Sequence, residues 1–473
     1  MARSNTCCLP VVVILSILLG CKCRSDHPAT GDRETLLAVK HDWGNPPQLE
    51  SWDPAASGHC SWEGVRCAAD GGIVMELSLR RLHLTGPVPA SVCTLKNLTH
   101  LDLSYNNLTG AFPAAVLKSC AQLRFLDVSN NAFKGALPAD MGGLSPLMEH
   151  LNISSNYFEG TVPAMVTRFP ALKSLLLDNN SFTGEYPAAE ISRLDALEIL
   201  TLADNAFTPA PVPTEFVKLT KLTYLWMDKM NLTGEIPKAF AKLTELTQLS
   251  MAWNNLTGSI PAWVWQHRKL EYVDLKGNAL SGDLTSDVTA VNLVWLDVSR
   301  NHLIGKIPEA FGKLKKLEFM SLFRNRFTGQ IPASIGLLPQ LEIIWISNNQ
   351  LSGELPPELG KHSLLGFLGV SNNYLSGPLS ETLFTNEKLM TIYAYNNSFS
   401  GKLPANLGKY TLLNYLLLHN NRFSGPIPSL PIGLKVFKAE NNQLSGPLPA
   451  DMSKLSNLTE LTLRGNRITG PIP

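Results

Sequence analysis

Residues 341–353 read LEIIWISNNQLSG, with apolar side chains at Leu341, Ile344, Ile346 and Leu351, an asparagine at 349 and a closing glycine. The alternation at Ile344 and Ile346 has the period of a strand with one face turned inward. The same run recurs as LTHLDLSYNNLTG at 98–110, LTQLSMAWNNLTG at 246–258 and LTELTLRGNRITG at 458–470. Extended by x-I-P, the pattern repeats from Val74 at steps of 21 to 25 residues, giving about 17 copies. Leu82 and Met230 stand where the other copies carry the asparagine. Prolines recur within the copies, so the leucines do not lie on amphipathic helices.

One copy cannot bury its own apolar face, so each must stack on its neighbours. The pattern therefore predicts a solenoid of leucine-rich repeats, a curved right-handed superhelix. Parallel strands line its concave face, and irregular or short helical segments form the convex side. The asparagine, facing inward after the strand, can satisfy backbone groups where the chain turns, and stacked asparagines such as Asn349, Asn373, Asn397 and Asn421 are expected to form a hydrogen-bonded ladder, since buried amides must be paired. The repeats occupy 74–473, the last one cut short; 26–73 is expected to be an N-terminal cap over the open apolar end.

The 473 residues carry 40 Lys and Arg against 39 Asp and Glu. That balance excludes the basic field a nucleic-acid binder needs. Residues 1–25 read as a secretory signal, with Arg3 ahead of an apolar core from Leu9 to Leu19 that is too short to span a bilayer. Four cysteines follow the leader: Cys60, Cys67, Cys93 and Cys120. They allow three connectivities, of which proximity favours Cys60–Cys67 with Cys93–Cys120. Asn-x-Ser/Thr sequons begin at Asn97, Asn107, Asn152, Asn179, Asn231, Asn255, Asn396 and Asn457. Behind a signal these are expected to be exposed glycan acceptors.

Counting back from each repeat asparagine gives the solvent-facing columns of the strands. Six before it, from the seventh copy, stand Tyr224, Gln248, Tyr272, Trp295, Phe319, Ile343, Phe367, Thr391 and Tyr415. Four before it come Trp226, Trp345, Tyr393 and Leu417, while Trp253, Phe323 and Tyr395 stand nearer the turn. In the first five copies these positions are mostly polar. Exposed aromatics give large contact area at low entropy cost, so this track is the candidate ligand groove. Half-burial of rings along any such ribbon is the alternative explanation.

Catalytic constellations are weak. His100, Asp102 and Ser104 share a strand face, but same-face neighbours are roughly 6.6 Å apart, too far for a hydrolase triad. Asp102 and Asp127 are read as exposed positions on adjacent coils, and His100 and His150, two coils apart, are too distant for one metal ion. No metal-ligand, phosphate-cradle or nucleophile-elbow motif occurs, so neither enzyme activity nor a cofactor is expected.

The x-L-x-G-x-I-P form, in full at Leu232–Pro237, Leu256–Pro261 and Phe327–Pro332, resembles the plant-specific repeat class. Residues 32–40 (DRETLLAVK) predict a capped helix opened by Asp32. With Ser51-Trp52-Asp53 and CSWEGVRC at 60–67, the segment matches the cap of plant leucine-rich repeat receptors. The whole mature chain is similar to the ectodomains of plant receptor kinases, most of all the HAESA and HAESA-like group. The atypical coil ADNAFTPAPVP at 203–213, then Leu225-Trp226-Met227, Met230 with Asn231-Leu232, residues 256–263 and YNNSFSG at 395–401 carry that likeness. Cys93 and Cys120 also stand where that group has cysteines. The resemblance implies a cell-surface receptor, in the apoplast or on the outer face of the plasma membrane. It would bind a secreted peptide along its inner face, and a leucine-rich repeat co-receptor kinase would complete the complex.

Two departures follow. The family's Arg-x-Arg pair, which captures a peptide carboxylate, is replaced by Tyr415 and Leu417, with Arg324 and Arg326 only a weak substitute past a strand. The chain also stops within a repeat, so a membrane span and kinase are expected only beyond Pro473; otherwise it is truncated. A secreted polygalacturonase-inhibitor-like protein, or a decoy or remnant of a receptor, are the other readings.

Overall fold

The computed structural model describes residues 31–472 apart from 57, 70, 140 and 165–167; the signal segment lies outside the described residues. An 18-stranded sheet runs the length of the chain. It opens with Val65–Cys67 antiparallel to Val74–Ser78 and continues in parallel, one strand per coil, to Glu460–Thr462. Each strand contributes three residues in strict register with its neighbours, for example Trp295 opposite Phe319 and Asp297 opposite Ser321. In the parallel strands before the last, the middle residue of the triplet points inward and is buried, as Leu296, Met320 and Ile344 are. The outer two form the concave surface.

The repeat asparagines face inward as expected, but they do not bond to one another. Asn349 accepts from the Phe327 N–H at 3.0 Å and donates to the carbonyls of Leu322 and Ile346 at 2.9 and 3.0 Å. Asn106 and Asn254 make the same set of contacts, and their Oδ1 atoms serve the Leu82 and Met230 N–H groups in the coils that lack an asparagine. Backbone groups at the turn consume the whole amide, which leaves nothing for a side-chain ladder. The asparagine-to-asparagine ladder lies one residue earlier, on the surface. There Asn396 donates to Asn372, Asn420 to Asn396 and Asn441 to Asn420, at 2.6 to 2.7 Å.

After each turn a second short strand pairs with its neighbour along the flank. The atypical coil divides these flanking strands. Ala206–Phe207 ends one ribbon and Ala210–Pro211 starts the next, with Thr208-Pro209 inserted between them.

At the N-terminus the helix Asp32–Asp42 buries Thr35, Leu36 and Val39 against the first coil. The expected capping by Asp32 is not made. Its carboxylate instead accepts from the Val74 N–H at 2.7 Å, tying the cap to the first strand. Trp52 and Trp62 stack at 6.0 Å inside the cap. Both favoured disulfides are present. Cys60–Cys67 closes the cap and Cys93–Cys120 joins the first two coils. No described helix is long and apolar enough to cross a membrane.

Six sequon asparagines are exposed, but two are not. Asn152 is buried on the concave strand His150–Asn152, where its amide donates to Asp127 and accepts from Ser154. Asn396 is half-buried within the surface ladder. Asn152 stands four before the repeat asparagine Asn156, so the count that gives the groove columns also places it on the strand.

Candidate functional site

The parallel register places the aromatic residues side by side, one coil apart. Tyr272, Trp295 and Phe319 form one continuous stack, with ring centroids 5.6 and 3.7 Å apart. The Trp295 N–H is enclosed without a partner, so stacking alone holds the ring. A second run follows, from Phe323 on Trp345 at 4.5 Å to edge-on contacts of Trp345 with Phe367 and Phe367 with Tyr393. Gly369 stands among them, where a Cβ would meet both Trp345 and Phe367. Tyr395 stacks on His419 at 4.4 Å.

Most of these rings are half-buried. Phe323 departs from the expectation. It is only 9% exposed, covered by Trp345 and by the guanidinium groups of Arg300 and Arg324, so it acts as floor rather than contact surface. Trp253 and Tyr415 are the most open of the twelve candidates, at 45% and 36%. Gln248 separates Tyr224 from Tyr272 in register, so Tyr224 and Trp226 stand before the stacks rather than within them.

The groove is charged at its N-terminal end. The Lys276 ammonium lies 2.6 Å from Asp274 and 3.9 Å from Asp297. Burial pushes the Asp274 carboxyl up to about 6, against the opposing pull of that ammonium. Burial likewise raises Asp228, which accepts from the Ser250 hydroxyl and the Ala252 N–H. The Tyr224 and Tyr272 phenols are raised by burial and then by these carboxylates. A groove that pairs apolar rings with a carboxylate–ammonium row can hold an extended chain with alternating apolar and polar groups.

The early coils hold a further ring stack, with Phe125 at its centre. His100 stacks on Phe125 at 3.8 Å and Phe125 on His150 at 4.2 Å, with Arg124, Glu149 and Lys173 in a bonded row at their edge. The phenyl ring of Phe125 thus stands between the two imidazoles. Burial, then the neighbouring His100, lowers His150 to about 4. The signal was available, because Phe125 occupies the same column as Tyr224 and Phe319. In the same region Asp102 is buried rather than exposed, and it accepts from the Ser104 N–H. The Ser104 hydroxyl has no partner, so the three residues form no triad.

Comparison with known proteins places this geometry. The leucine rich repeat N-terminal domain family matches residues 29–68, and leucine rich repeat families match 74–133, 292–314 and 340–362. The Arabidopsis receptor kinase HAESA, solved with the peptide hormone IDA and the co-receptor SERK1, is 34% identical. The match covers 93% of this chain and 75% of that one, with a TM-score of 0.89. The receptor-like protein kinase HSL1 of Arabidopsis thaliana is 35% identical over 19% of this chain and 9% of its own length. Polygalacturonase inhibitor 1 of Oryza sativa subsp. japonica is 28% identical over 22% of this chain and 40% of its own. Matched stretches span only 7 to 11% of the first curated receptor-kinase relatives. The likeness to HAESA, at 34% identity, covers three quarters of that chain, and on it the chain belongs to the leucine-rich repeat ectodomains of plant receptor kinases.

Proposed function

We propose that this chain is the ligand-recognising part of a plant cell-surface receptor, which takes a secreted peptide along its concave face. The observation that carries the reading is the ladder of half-open rings from Tyr272 to Tyr393, offered at successive strand positions. Trp226 and Tyr224 extend it at the acidic end, and Tyr395 and Tyr415 at the other. An extended peptide advances about 3.3 Å per residue, so successive side chains can alternate between the rings and the rim. The HAESA ectodomain was solved with a peptide hormone and a co-receptor; by likeness, a co-receptor kinase would complete the complex here. Tyr415 and Leu417, half-open on one strand, cannot ion-pair with a carboxylate, so the ligand's end is held differently.

Selecting short random peptides on the immobilised ectodomain tests this directly. Peptides that bind the wild type should lose binding to Trp226→Ala or Trp345→Ala, while both variants melt as the wild type does. Unchanged binding by both variants at wild-type stability would remove the aromatic track. The similarity to a polygalacturonase inhibitor supports a second reading, inhibition of a fungal pectinase, which an inhibition assay separates.

A further inference from the structure

Along the rim where the strands turn outward, Trp253 and Phe323 are linked by arginines. Arg300 lies over both rings, 5.6 Å from the Trp253 centroid and 5.4 Å from that of Phe323. Arg324 lies 5.3 Å from the same Phe323 ring. The indole of Trp253 reaches Arg300 across an intervening coil, and Gly277 clears the way. A Cβ on Gly277 would stand 2.5 Å from Trp253 Cε3. One buried phenyl ring thus carries two guanidinium groups within 5.4 Å of its centre.

Several other cations of the inner face are held by an acid: Lys276 by Asp274, Lys229 by Asp204, Lys438 by Glu460, and Arg124 and Lys173 by Glu149. Among the described residues Arg300 and Arg324 have no such partner. Two like charges on one ring repel each other, and an anion at their edges would relieve that repulsion. A guanidinium held over a ring by cation–π attraction has its rotamers already restricted, so binding a carboxylate loses less entropy.

We infer that Arg300 and Arg324, held by Trp253 and Phe323, form the receptor for an acidic side chain, Asp or Glu, of the bound peptide. The inference rests on the peptide-binding reading and adds the ligand's charge and where it is gripped. The site lies beside the aromatic ladder at Trp345, so one extended ligand can reach both.

The test compares random-peptide selection on the wild-type ectodomain, on Arg300→Gln/Arg324→Gln, and on Arg80→Gln/Arg81→Gln. The last pair removes the same charge from a similar arginine–tyrosine cluster at Tyr105. Wild-type selections should enrich an acidic residue at a fixed spacing from an apolar one. The enriched peptides should bind Arg300→Gln/Arg324→Gln about tenfold or more weakly, and Arg80→Gln/Arg81→Gln within about twofold. Enriched peptides without an acidic preference, or equal losses in the two double variants, would overturn the arginine site and leave peptide recognition standing. Failure to enrich any peptide would overturn both.

Discussion

A Cβ on Gly369 would stand 2.7 Å from Cδ1 of Trp345 and 2.8 Å from Cε1 of Phe367, so the missing methyl group is what lets the two rings meet edge to face. The position lies in the column that carries Trp345 and Tyr393 on the coils either side. Its backbone lies outside the left-handed region, so only space is at issue.

Gly369→Ala should therefore displace both rings. Overpacking of this kind costs about 1–3 kcal/mol. The expected outcome is a modest fall in melting temperature and a clear loss of selected peptides, read by calorimetry on the same sample. Full binding with unchanged stability would mean that the groove accepts a methyl group there and that ring placement is not set by Gly369.

Asn349 satisfies three or more backbone groups from inside the turn. Asn349→Ala leaves the Phe327 N–H buried and unpaired, while the Leu322 carbonyl keeps the Asn325 amide, and this should cost about 1–3 kcal/mol. Hydrogen exchange should show the opening centred on the coils of Asn325 and Asn349. Gln350→Ala, next in sequence but exposed, should stay within about 0.5 kcal/mol.

The two disulfides close loops of different length, with sequence separations of 7 and 27. Chain-entropy arguments give about 2–3 kcal/mol for Cys60–Cys67 and about 3–4 kcal/mol for Cys93–Cys120. Serine substitution of each pair, followed by urea unfolding, should rank them in that order. The reverse ranking would show that the cap's packing on its own disulfide outweighs loop length.

Acid titration should separate two buried groups of opposite sign. Asp274 is raised from 3.8 to about 6 by burial, so its contribution to stability is present below about 4 and is lost as pH rises through about 6. His150 is lowered from 6.5 to about 4, so its contribution is present above 6.5 and is lost as pH falls through about 4. Relative to Asp274→Asn, the wild type should lose melting temperature from pH 4 to 6. Relative to His150→Phe, it should gain over nearly the same range. Parallel profiles for wild type and variant would refute the assignment for that residue.

Much of the candidate site was legible before any coordinates, because a fixed repeat turns sequence spacing into spatial neighbourhood. Counting six and four residues back from each asparagine put Tyr272, Trp295 and Phe319 in one column, and the strands hold them there. The count did not show how each side chain leaves the backbone. Phe323 turned down under Trp345 and two arginines, and the surface asparagines Asn372, Asn396 and Asn420 bonded to one another.

The 24-residue rhythm by itself determined the solenoid, the parallel register and the concave columns, since stacking neighbours is the only way such coils bury their leucines. Only the tertiary structure decided which rings touch, which cations are left without an acid, and where a glycine opens space. Those depend on side-chain direction and on contacts between residues about 24 apart or more, as between Trp253 and Arg300, and spacing along one chain does not fix either.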